Sequence, residues 1–253
     1  MTSVFTLIRD LKRRYVAEKY RKKNGDSYRI HGLEVTVPGH ISPGIRYILA
    51  KGRPYEVDEI KLVASILKKG INVIELGGSI GLLSRVIRNK IGPTATHLII
   101  EADPTLIDTC RQNSEIGSEK GKTKVLHAAL AYVDTPTLAF KKGKTAHTGK
   151  IATSSEKGNI HVPAIELKEL IQKMPKSKEL ILVSDIEGAE YEMFEKESRE
   201  VFSNFSYAII EIHPKTFQSL NKSEAGFKNI IAEKGFSIIQ REENVLLLRG
   251  SQK

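Results

Sequence analysis

The chain has 253 residues, room for one large domain with a sizeable core but little for a second. Its 40% hydrophobic and 28% charged residues are ordinary for a globular protein, and a single cysteine, Cys110, excludes an internal disulfide framework. The net charge of +10 is lopsided, because residues 1–25 hold eight basic side chains against Asp10 and Glu18.

Taken in order, residues 3–23 place Val4, Leu7, Ile8, Leu11 and Tyr15 at helical spacing among those basic residues, which predicts an amphipathic helix. Such an arm suits an anionic membrane surface, nucleic acid or a phosphorylated substrate; a solvated helix face is the plainer alternative. Residues 27–37 alternate apolar and polar, predicting a small β-hairpin turning near Gly32. Pro38, Gly39, Pro43 and Gly44 punctuate a connector, and helical periodicity returns over 57–67. Residues 1–50 are therefore expected to form an extension and residues 51–253 the main domain. The apolar runs are too short to span a bilayer and no signal-peptide pattern opens the chain, so the expected location is cytoplasmic, with the arm offering peripheral membrane contact.

From residue 71 strands and helices alternate: a strand over 71–76, a helix over 80–91, a strand over 96–101, and a helix opened by Asp103-Pro104. A strand over 123–129 follows, then irregular basic sequence over 135–163, which reads as a hairpin plus a mobile loop. A helix near 165–173 leads to an apolar strand over 180–185, a helix from Ala189 and a strand over 207–212. Two strands, 236–240 and 245–249, close the chain too near each other for a crossover helix, so they form an antiparallel hairpin. The fold class is α/β, Rossmann-like, with a mostly parallel sheet ending in that hairpin. This is the layout of Rossmann-like methyltransferases, whereas nicotinamide dehydrogenases continue with βα units.

Glu75-Leu76-Gly77-Gly78-Ser79-Ile80-Gly81 joins the first core strand to its helix. Glycines suit a tight turn that a ligand approaches too closely for a Cβ. The first glycine of a full dinucleotide fingerprint is missing, which favours a nucleoside cofactor whose carboxylate meets the helix N-terminus over a pyrophosphate. Glu101, followed by Ala102, ends the next strand at the spacing of a ribose-binding acid. Glu75 either binds a cofactor ammonium group or caps the turn. Ala128, at the end of the third strand, lies where an adenine ring would rest, or packs as an ordinary small residue.

Asp185-Ile186-Glu187-Gly188-Ala189-Glu190 brings three carboxylates to the carboxyl edge of the sheet. With the glycine turn, Glu101-Ala102-Asp103-Pro104, Pro54-Tyr55-Glu56 and Glu211-Ile212-His213-Pro214, this motif resembles the FkbM-type S-adenosylmethionine-dependent methyltransferases over about residues 50–249. Ser184 stands where that family commonly has lysine, and Glu75 with Gly78-Ser79 replace its usual Asp and Ala-Asn. The resemblance implies S-adenosyl-L-methionine as cofactor and O-methylation, most often of sugar hydroxyls in glycans or glycosylated molecules.

A sugar hydroxyl needs a base or a metal to help remove its proton. Asp185, Glu187 and His213 are the candidate catalytic residues, and Tyr55, Glu56 and Glu211 the candidate substrate contacts. His213, with an ordinary value near 6.5, suits a base around neutrality, or caps the strand end. Asp185 could hold a divalent ion such as Mg²⁺, or hydrogen-bond the amides after Gly188. Glu190 reads as a helix-dipole or capping residue. A basic stretch over 141–158 suits a lid over the pocket or a solvated loop. RNA and protein methylation, or a non-catalytic scaffold, compete with the sugar reading; no tryptophan and 6% aromatics weigh against nucleic acid.

Overall fold

The computed structural model describes residues 4–141, 150–151, 160–176 and 179–251. Helix α1 (Val4–Asn24) leads into strands β1 (Ser27–Ile30) and β2 (Leu33–Thr36), paired antiparallel through His31 and Gly32. Both turn residues have positive φ, 46° and 80°, as a two-residue hairpin twisted to match its strands demands. Pro43 and Gly44 open a helix instead of a connector. In α2 (Pro43–Ala50) proline takes the first turn and Ser42 Oγ accepts the Gly44 amide at 3.2 Å. Residues of this extension share one hydrophobic core with the main sheet: Tyr28, Val35 and Ile45 belong to the same cluster as Ile80 and Val183.

The main unit runs α3 (Val57–Ile66), β3 (Asn72–Leu76), α4 (Leu82–Ile91), β4 (His97–Glu101), α5 (Ile107–Ser114) and β5 (Thr123–His127). Asp103 caps a turn ahead of α5 rather than the helix itself: its Oδ1 accepts the Thr105 amide at 2.9 Å, and α5 begins at Ile107. Strands β6 (Ala129–Leu130), β7 (Thr137–Lys141), β8 (Lys150–Ile151) and β9 (Ile160–Ile165) make a small separate sheet in the order β6-β9-β7-β8. Then come α6 (Leu167–Gln172), β10 (Leu180–Ser184), α7 (Glu190–Lys196), α8 (Arg199–Phe202), β11 (Tyr207–Glu211), α9 (Pro214–Ser219), α10 (Glu224–Glu233), β12 (Phe236–Glu242) and β13 (Val245–Gly250).

The central sheet has the order β12-β13-β11-β10-β3-β4-β5. Its five strands from β11 to β5 are parallel, and β13 inserts antiparallel between β11 and β12. Every residue of β3, β4 and β10 is buried, which is why these strands read as unbroken apolar runs without alternation. Val73, Val183 and Ile209 face α3 and α4, while Ile74, Leu182 and Ile210 face an aromatic cluster containing Phe194, Phe202 and Phe227. The chain leaves β3 in one direction and returns at β10 on the other side. The crevice beyond β3 and β10 is thus the topological switch point, where ligands bind in open α/β sheets.

Candidate active site

The glycine turn sits at that switch point. Gly77 and Gly78 both donate their amides to Ile100 O, at 2.9 and 3.0 Å, folding the turn back over β4. Protein atoms fill the space where their Cβ atoms would lie. A Cβ on Gly77 would come within 1.8 Å of Asp185 O, one on Gly78 within 2.5 Å of Ile99 Cγ2, and one on Gly81 within 2.7 Å of Cys110 O. The approach of β10, β4 and α5 by itself requires glycine at these three positions.

Glu101, almost fully buried, accepts the Ser79 amide on one oxygen and the Asp103 amide on the other, each at 2.6 Å. Burial pushes its carboxyl up to about 7 against the pull of those amides. It therefore locks the glycine turn, with Ser79 held at φ 47°. Glu75 points into the interior: His97 Nε2 lies 2.7 Å from one oxygen and Ser84 Oγ donates to the other at 2.9 Å. With the residue only 1% exposed and its carboxylate partnered inside the protein by His97 and Ser84, Glu75 supports the turn.

On the other side of the crevice, the Asp185 amide bonds Leu76 O at 2.9 Å, so the DIEGAE segment leaves β10 tight against the glycine turn. Glu187 at φ 54° and Gly188 at φ 110° then reverse the chain into α7. The reversal buries Glu190 completely and aims it at the end of β11. One Glu190 oxygen accepts the Gly188 amide at 2.7 Å; the other accepts the His213 amide at 2.9 Å and lies 3.0 Å from His213 Nδ1. His213 Nε2 faces Asp185 Oδ1 at 3.5 Å and Glu187 Oε2 at 3.6 Å. Glu190 is thus more than the helix-capping residue its position suggests: it orients His213.

Burial opposes a charge on His213, but the Glu190 hydrogen bond and the charges of Glu190, Asp185 and Glu187 outweigh it and raise the imidazole to about 9. The expectation of a histidine titrating near neutrality fails for that reason. Asp185 is pushed up to about 7 by burial, opposed by His213 and reinforced by Glu187, Glu56 and Glu59. Glu211 rises to about 9 through burial and the neighbouring Asp185 and Glu59. Glu56 rises to about 8, from burial first and Glu59 next, partly offset by a hydrogen bond from Tyr55. Glu56 takes a left-handed backbone, φ 48°, just ahead of α3, which brings it and Tyr55 to the same cluster. Oxygens of Asp185 (Oδ1) and Glu56 (Oε2) are buried with no hydrogen-bond partner among the described residues. Carboxylates in such excess over one histidine favour an incoming cation.

Asp185, Glu187, Glu211, His213, Tyr55 and Glu56 are therefore gathered in one place, with Glu59 an unforeseen member. The acidic first turn of α3 was legible in the sequence, but nothing local said that it faced β11. Gly77, Gly78, Ser79, Gly81 and Glu101 line the adjoining turn. Ala102 packs against the small sheet, and Ala128 is buried in the core beneath the main sheet, its amide bonded to Glu101 O at 3.1 Å. Most of the basic stretch lies outside the described residues. No described helix is long and apolar enough to cross a membrane.

The family model for the Methyltransferase FkbM domain matches residues 70–238, from the first core strand to the start of β12. No curated protein matches. Among solved structures the chain is similar to precorrin 8w decarboxylase from Methanobacterium thermoautotrophicum, at 12% identity over 78% of this chain and 92% of that one, TM-score 0.44. It is also similar to the TehB-like SAM-dependent methyltransferase of Corynebacterium glutamicum, at 12% identity over 82% and 94%, TM-score 0.40. The Methanococcus jannaschii fibrillarin pre-rRNA processing protein gives 13% identity over 74% and 69%, TM-score 0.42. The family model spans both halves of the crevice, the glycine turn and the DIEGAE–His213 cluster, and the chain belongs to the FkbM family of S-adenosylmethionine-dependent methyltransferases.

Proposed function

We propose that the enzyme methylates a hydroxyl of a sugar, a glycan or a glycosylated small molecule, with His213 as proton acceptor. The observation that carries this reading is the pair of buried Glu190 and half-buried His213, with His213 Nε2 turned toward Asp185 and Glu187 at the carboxyl edge of the sheet. S-adenosylmethionine supplies an electrophilic methyl group on a sulfonium. The residues present fit such a group. Each Glu101 oxygen keeps a lone pair beyond the amide it accepts, enough for ribose hydroxyls, and the cluster's surplus carboxylates suit the sulfonium and ammonium charges.

His213 Nε2 would take the proton of the acceptor hydroxyl as that hydroxyl receives the methyl group. Glu190 holds Nδ1–H, leaving the Nε2 lone pair toward the acceptor, and balances the imidazolium that forms. Asp185 and Glu187 flank the reacting hydroxyl, and Glu211, Tyr55 and Glu56 receive neighbouring hydroxyls of the acceptor. Screening methyl transfer from labelled cofactor to sugars, nucleotide sugars, RNA and protein extracts tests the acceptor class. Transfer to sugar hydroxyls that drops about 10²–10⁴-fold in His213→Ala supports it. Preferential transfer to RNA or protein, or no turnover despite cofactor binding, overturns it.

One observation favours a second reading of the same cluster. Asp185, Glu211 and His213 each offer a ligand atom, all within 4.8 Å of one another. These three would hold a divalent cation such as Mg²⁺, which would stabilise the acceptor oxygen as a Lewis acid, with Glu190 orienting a ligating imidazole. Mn²⁺ titration followed by electron paramagnetic resonance, with Asp185→Asn as control, separates the two. Loss of turnover with EDTA, restored by Mg²⁺, supports the metal; turnover indifferent to EDTA leaves His213 as a metal-free base.

A further inference from the structure

Helix α1 packs its C-terminal half on the domain, through Ala17, Glu18 and Tyr20, and turns an apolar face of its N-terminal half away from it. At about 100° per residue, Leu7, Ile8, Leu11 and Tyr15 form one stripe. They are 59%, 58%, 58% and 67% exposed, so the domain does not cover them. The packed side lies across the helix: Ala17 is fully buried, and Tyr20 stacks on Tyr28 with ring centroids 4.7 Å apart. Exposed Lys12 and Lys19 border the stripe on one flank and Arg14 on the other, and Lys22 continues its line. With those charges the helix is not one that can cross a membrane.

From this arrangement we infer that α1 is a surface helix that docks the enzyme on an anionic membrane. An apolar stripe rimmed by lysine and arginine is the pattern of helices lying in the plane of an anionic bilayer, stripe in the acyl boundary and charges among the headgroups. The same rim argues against a second copy of the chain, because a two-fold contact through the stripe would set like charges against one another. It argues against nucleic acid as well, since phosphates give exposed leucine and isoleucine nothing to bury into. The inference is independent of the acceptor at the active site.

The test uses the full chain in vesicle flotation, comparing phosphatidylcholine alone with vesicles containing about a third phosphatidylglycerol. Binding should be confined to the anionic vesicles and weaken with salt. Replacing Lys12, Arg14 and Lys19 by glutamine should lower the partition coefficient on the order of a hundredfold. Leu7→Ser with Leu11→Ser should lower it comparably, since all these side chains are exposed and their loss spares the fold. The chain has no tryptophan, so Leu11→Trp gives a single reporter whose emission should shift to the blue on anionic vesicles. Equal binding to neutral vesicles, no binding at all, or a blue shift that grows with protein concentration without lipid would each overturn the inference. Tighter salt-sensitive binding to RNA that ignores the leucine substitutions would overturn it in favour of nucleic acid.

Discussion

A single buried oxygen of Glu190 serves both the backbone amide and the Nδ1 of His213, at 2.9 and 3.0 Å, across the gap between α7 and the end of β11. The pair joins two segments 23 residues apart and sets both the direction and the basicity of the imidazole. Glu190→Gln should keep the fold but remove the charge that holds the proton on His213. Nitrogen-15 NMR should then show His213 titrating nearer the ordinary histidine value, and the alkaline rise of kcat/KM should move to lower pH. Glu190→Ala additionally orphans the Gly188 and His213 amides, at a cost of about 2–4 kcal/mol in a denaturation experiment. A His213 titration unchanged in Glu190→Gln would falsify the orienting role.

The pH dependence of activity should follow from His213 held near 9 in the free enzyme. A base must be deprotonated, so kcat/KM should still be rising above pH 7 and bend towards pH 9, well above the ordinary histidine value. A profile flat above pH 7 would assign proton removal to another group.

Stability should move in the opposite sense. His213 is raised above its unfolded value, so its contribution is complete below 6.5 and is lost as pH rises through about 9. Glu56, raised to about 8, and Glu211, raised to about 9, also bind protons more tightly when folded, so ionising them with rising pH costs stability as well. Glu56→Gln removes one such penalty and should stabilise the protein at pH 8 by about 1–2 kcal/mol after screening, with little change at pH 4. Thermal melts at the two pH values decide this; equal effects at both would point to packing alone.

Glu101→Ala tests the cofactor assignment and the turn together. It deletes the acceptor of two backbone amides and, in the proposed complex, of two ribose hydroxyls. Cofactor affinity by calorimetry should fall at least about tenfold, from charge-assisted bonds of about 1.5–3 kcal/mol each. Glu101→Gln should lose less, because its carbonyl oxygen still accepts one amide. Affinity untouched in Glu101→Ala would remove this residue from the cofactor site.

Gly77→Ala should be among the most disruptive single-methyl additions in the chain. The backbone there has φ 88°, and the new Cβ would fall 1.8 Å from Asp185 O. The left-handed strain alone costs about 1–2 kcal/mol, and the clash forces β3 and β10 apart at their carboxyl ends. Melting temperature and cofactor affinity should fall together. Near-native behaviour would show that the β3–β10 edge can shift without penalty.

Patterns with a short period were legible from the sequence alone. Buried parallel strands must be apolar throughout, so residues 180–183 and the strand before Gly77 declared themselves, and the short link before Val245 forced an antiparallel return. The positions of Asp185, His213 and Glu101 also followed, because each ends a strand and strand ends meet at one edge. Short helices carry too few turns to show a period, and for that reason α2 was hidden behind Pro43, read only as punctuation, and α9 behind Pro214, read only as the end of a motif. Only the tertiary structure decided what each polar group touches. It turned Glu75 inward to His97, made Glu190 the partner of His213, brought Glu56 and Glu59 onto β11, and filled the glycine hollows with protein atoms. It also left the apolar stripe of α1 facing outward, since a sequence fixes which residues share a helix face but only packing selects the face the core takes.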